Sequence, residues 1–90
     1  MKPIHCHADN LAKHDVRESE VRECLAGVHL RFRNPSGRRG TYLVVGQTLG
    51  GRYLELVYED RGRYWWVFHA MTARSRLVRL FRKRRKQHGR

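Results

Sequence analysis

Ninety residues with 40% apolar and 10% aromatic content make one small folded domain, and they are too apolar for a disordered chain. Twenty Lys and Arg against eight Asp and Glu leave a net charge of +12, which points to a polyanionic partner. No stretch reaches the ~20 apolar residues of a membrane span, no secretory signal opens the chain, and two cysteines cannot build a disulfide framework, so a cytoplasmic location is expected.

The elements follow in chain order. Residues 1–4 suit a short edge strand, and Asp9 to His14 reads as one or two helical turns around Leu11. The next helix is better marked. Val16 and Val21 are spaced as a hydrophobic staple, and Glu20 stands where it can reach back to an N-cap at Arg17. Val21, Cys24 and Leu25 form its apolar stripe, and Gly27 is a natural stop. Val28 to Arg33 alternates as a half-buried strand, and Asn34-Pro35-Ser36-Gly37 is a loop by turn chemistry.

Two further strands, Thr41 to Thr48 and Arg52 to Glu59, flank the hairpin signal Leu49-Gly50-Gly51. After a turn at Asp60-Arg61-Gly62 comes an aromatic strand from Arg63 to Ala70. Strict alternation along it would place Tyr64, Trp66, Phe68 and Ala70 on the core face, with Trp65, Val67 and His69 opposite. The last element is a helix from Ala73 to Lys86. Its apolar face carries Leu77, Val78, Leu80 and Phe81, and residues 87–90 are expected to form a frayed tail. The expected fold is a single α+β domain over residues 1–90. It has a small antiparallel sheet of three to four strands, packed on one face by N-terminal helices and a basic C-terminal amphipathic helix.

Charge is distributed very unevenly. Residues 1–60 carry all eight acids and a net +1, whereas residues 61–90 carry eleven Lys and Arg, no acid, and +11. A solvated surface ordinarily mixes signs, so this segment suits an anionic ligand.

Three stretches carry a family resemblance. They are Asn10-Leu11-Ala12-Lys13-His14-Asp15-Val16 ahead of an acidic helix, the hairpin from Tyr42 through Leu54, and Val67-Phe68-His69-Ala70-Met71 ahead of an arginine-rich helix. In this order and spacing the chain resembles the BrnT-type toxins of bacterial toxin–antitoxin pairs, which are small RelE-like ribonucleases. The resemblance implies a RelE-like fold, endoribonuclease activity without a metal, RNA as substrate, and a cognate antitoxin with an acidic docking surface. The chain departs from the family pattern at Met71, Trp66 and Leu77, and at Gly40-Thr41 where the family opens its hairpin with Glu-Arg. A non-catalytic nucleic-acid- or partner-binding module on the same fold is therefore the alternative.

On this reading His69, Arg74 and Arg76 are the candidate catalytic residues. A histidine titrates near neutrality, and guanidinium stays charged and grips phosphate bidentately. Lys13, His14, Arg52, Trp65, Arg79, Arg82 and Lys83 are the candidate RNA contacts, with Trp65 either stacking on a base or packing beneath a helix. His69 has its own plain reading as a hydrogen-bonded strand-end histidine, and Lys13 and His14 as a solvated helix end. His5-Cys6-His7 lacks the four-ligand spacing of a zinc site, and no phosphate-binding glycine loop occurs, so no metal, cofactor or small-molecule ligand is expected.

Overall fold

A computed structural model describes residues 2–88 of the chain. The elements run β1 (Ile4–Cys6), α1 (Ala8–Ala12), α2 (Glu18–Ala26), β2 (His29–Arg33), β3 (Thr41–Gln47), β4 (Tyr53–Asp60), β5 (Trp65–Thr72) and α3 (Ser75–His88). Of the tail expected over 87–90, residues 89 and 90 lie outside the described residues, and helical backbone continues to His88.

The expected α+β class holds, but the sheet is larger and mixed. Five strands lie in the order β1-β5-β4-β3-β2. The meander β2 to β5 is antiparallel throughout, whereas β1 joins the outer edge of β5 in parallel, pairing Ile4 with Trp65 and Cys6 with Val67. Three residues carry too little pattern to specify a partner about sixty positions away, and parallel pairing needs a long connection that no local turn announces.

The helices also occupy both faces rather than one. On one face α1 and α2 bury Leu11, Val21, Cys24 and Leu25 against Val44, Leu54, Leu56, Tyr58, Val67 and Ala70. On the other, Leu77 and Phe81 of α3 pack on Val45, with Leu30, Phe32, Leu43 and Tyr53 around them. The reason lies in β3 and β4. Tyr42-Leu43-Val44-Val45 and Leu54 to Tyr58 are nearly continuous apolar runs, the pattern of strands covered on both sides.

Between α1 and α2 the chain turns at Asp15, which takes the left-handed conformation with φ 55°. The Asp15 N–H bonds to the Ala12 carbonyl and the Val16 N–H to the Leu11 carbonyl, a Schellman end whose apolar partners Leu11 and Val16 are both buried. The capping box of α2 forms as the sequence predicts, with the Arg17 N–H donating to Glu20 Oε1 at 3.0 Å.

Arg52 locks this corner to the sheet. Its guanidinium donates to the carbonyls of His14 and Asp15, to Glu20 Oε1 and twice to Thr72 Oγ1, five bonds for its five N–H groups. Removing it leaves the His14 and Asp15 carbonyls without this donor and Glu20 without its cation. Arg52→Ala is therefore expected to cost about 2 kcal/mol, or roughly 10 °C in the thermal midpoint of a domain this size. A thermal melt that superimposes on wild type would contradict the locking role.

Candidate functional site

The site begins with an irregularity in β5. Val57 of β4 pairs with His69, but the next residue, Tyr58, pairs with Val67, so Phe68 is an extra residue bulged out of the ladder. Asn10 on α1 donates from Nδ2 to the Phe68 carbonyl at 2.9 Å, which satisfies the bulge and ties α1 to it. One extra residue inverts the alternation beyond it. Ala70 lies on the core face and His69 opposite it, as strict alternation predicts, but the faces before the bulge are corrected: Trp65 and Val67 face the α1–α2 core, and Trp66 lies on the His69 side.

On that side lies an open cleft of about 690 Å³, floored by Glu55, Val57, His69 and Met71, with Arg74, Arg76 and Leu77 at the start of α3 along one wall. Asn10, Phe68, Leu43 and the loop residues Asn34, Pro35 and Ser36 complete it. The three candidate catalytic residues thus share one cleft, although their elements are distinct. Met71 and Leu77, two of the departures from the family pattern, stand in the same lining.

Glu55 anchors the wall. It is only 3% exposed, and its Oε1 accepts both the backbone N–H and the Nε–H of Arg74, each at 3.0 Å. A buried carboxylate needs such charge-assisted partners. The Nε–H so used leaves the exposed end of the Arg74 guanidinium facing solvent, its side chain 62% accessible. Sequence reasoning missed Glu55. The available signal was a lone carboxylate between Leu54 and Leu56 inside an apolar strand.

His69 is half-buried, and burial is the main reason its pKa falls below the ordinary 6.5; Glu55 opposes the shift, while His14 and Arg74 reinforce it. At neutral pH the ring is an uncharged base. The His14 ring stands edge-on to it with centroids 5.7 Å apart, outside the cleft lining.

The remaining candidates separate. Lys13 is exposed at the end of α1, outside the cleft lining. Arg52 has no free N–H to offer a phosphate, because all its donors serve the α1–α2 corner. Trp65 packs beneath the helices, its indole stacked on Tyr58 at 4.5 Å, and shares no surface with His69. Arg79 and Lys83, with Arg33 and Arg76, rim a neighbouring apolar groove of about 540 Å³ lined by Phe32, Leu43, Leu77 and Leu80. Arg82 points to the opposite flank of α3, beside Tyr53 and Arg85.

Among the described residues no three His, Cys, Asp or Glu side chains converge on a point that would hold a metal ion. Burial pushes the Cys24 thiol up to about 12 and the Cys6 thiol to about 11, where neither is a thiolate at neutral pH. Among the described residues no helix is long and apolar enough to cross a membrane. No family model, curated protein or solved structure matches the chain.

The lowered His69 pKa has a thermodynamic consequence. The unfolded chain takes up a proton as pH falls through about 6.5, while folded His69 resists until its own lower pKa is reached. The stability that neutral His69 contributes is present above pH 6.5 and is lost as pH falls through that window. Chemical denaturation from pH 7 downward should therefore show wild type losing more stability than His69→Gln; parallel losses would contradict a depressed pKa.

Proposed function

We propose that this protein is a BrnT-like, RelE-type endoribonuclease that binds an RNA strand in the cleft beside α3 and cuts it without a metal. The observation that carries the reading is the meeting of a neutral, half-buried His69 with Arg74 and Arg76 in one open cleft. The chemistry follows from these groups. His69 takes the proton of a ribose 2′-hydroxyl as that oxygen attacks the adjacent phosphorus. Arg74, held by Glu55, and Arg76 carry the charge that grows on the phosphoryl oxygens. The bond from phosphorus to the 5′-oxygen breaks, leaving a cyclic phosphate and a 5′-hydroxyl. The leaving 5′-oxygen takes a proton from water, and His69 releases the proton it accepted to solvent.

An antitoxin of acidic docking surface fits the same reading. The groove rimmed by Arg33, Arg76, Arg79 and Lys83 adjoins the cleft through Pro35, Leu43, Arg76 and Leu77. An acidic partner seated there covers Arg76 and blocks RNA entry.

The specific alternative is a binding module that holds RNA without cutting it. It is favoured by Met71, an uncharged side chain on the cleft floor where the family pattern has arginine. Kinetics separate the two. His69→Ala should lower cleavage by about 10²- to 10⁴-fold with RNA affinity nearly unchanged, whereas Arg74→Ala and Arg76→Ala should weaken binding and cleavage together. The wild-type rate should rise with pH through a titration below 6.5 that His69→Ala lacks. Folded wild-type protein that binds RNA and cuts none would establish the binding module, and full activity in His69→Ala would move the chemistry to the arginines.

A further inference from the structure

The cleft floor does not end at the bulge. Beyond it, on the same face, β5 presents Trp66, and the parallel edge strand β1 brings His5 alongside it. His7 follows, its ring 5.8 Å from the Trp66 ring, and Tyr64 meets His5 edge to face at 4.7 Å. The apolar cluster under α3 draws on β2, β3 and β4 and contains nothing from β1 or β5. This end of the face is left to solvent: His5 is exposed, and Trp66, His7 and Tyr64 are part-exposed.

Two contacts fix the strip. His7 Nδ1 accepts the Asn10 N–H at the start of α1, which sets its ring, and Arg61 lies over the Trp66 ring at 5.4 Å. Two acids at this end of the sheet are paired, Glu59 with Arg61 and Arg38 and Asp60 with Lys2. Aromatic faces interleaved with guanidinium, on an open sheet face leading into a cationic cleft, match unpaired nucleotide bases and their phosphates.

We infer that Trp66, with His7, His5 and Tyr64 beside it, is a stacking subsite for unpaired bases of a single-stranded RNA whose scissile phosphate lies in the His69 cleft. The inference rests on the RNA-binding reading above and deepens it, because a stacking strip selects single strands over duplex. Trp65, one residue away, is stacked in the core and takes no part.

The test measures binding of a labelled short oligouridylate and of an RNA duplex of equal length to wild type, Trp66→Ala and Trp66→Phe. Trp66→Ala should weaken oligouridylate binding about tenfold, Trp66→Phe should retain most of it, and the salt dependence of binding should be unchanged because no phosphate contact is lost. Duplex affinity should not respond to either substitution. In the unmutated chain oligouridylate should quench tryptophan emission, and Trp66→Phe should abolish that quenching, which keeps the test valid if Trp66→Ala fails to fold. Oligouridylate binding that is equal in all three proteins, or saturable binding without quenching, overturns the stacking subsite and leaves the RNA reading standing. Absence of any RNA binding by wild type overturns both.

Discussion

One extra residue in one strand decides what this sheet can do. With Phe68 absorbed as a bulge, His69 and Met71 join Glu55 and Val57 on the face beside α3, while Val67 and Ala70 still close the core on the other side. Without it, Val67 and His69 would share one face, so either Val67 would leave the core or the imidazole would replace an apolar group in a packed layer. The carbonyl that the bulge frees is taken by Asn10, so the same irregularity docks α1, beyond whose end His14 meets His69 edge-on. Bulges re-aim side chains at just such places.

Electrostatics divides the chain into two roles. Four of the eight acids of residues 1–60 form ion pairs within the fold: Glu20 with Arg52, Glu55 with Arg74, Glu59 with Arg61 and Arg38, and Asp60 with Lys2. Among the described residues no ion pair involves a side chain between Arg76 and Lys86. The positive field of α3 is therefore uncompensated and extends over the cleft and groove that its first two turns line. Apolar residues of the same helix close the second face of the sheet, so one element supplies both packing and charge.

What the sequence disclosed depended on how local the determinant was. The staple from Val16 to Val21 and the reach of Glu20 to Arg17 lie within one turn, and α2 forms where they put it. The Leu49-Gly50-Gly51 signal likewise joins β3 and β4. Non-local determinants were silent. A bulge carries no residue signature here, so alternation misassigned Trp65 and His69 to one face. Arg52 resembled a phosphate ligand because its acceptors, two backbone carbonyls and the side chains of Glu20 and Thr72, are distant in sequence and marked by no local pattern. His69, Arg74 and Arg76 were nonetheless grouped correctly in space, since a strand end and the helix that follows it are neighbours. Glu55, which holds Arg74 in that group, was legible only as a carboxylate out of place in an apolar strand.

The central claim is that RNA is engaged at the cleft created by the bulge and not merely along the basic helix. Histidine ring resonances report this directly, because His69 lines the cleft and His14 meets the His69 ring, whereas His29 lies on β2 with its Nδ1 against the Gly27 carbonyl. On titrating single-stranded RNA into ring-labelled protein, His69 and His14 should shift together and saturate with the binding curve, and His29 should stay fixed. Saturable RNA binding that leaves His69 and His14 unmoved would contradict the account.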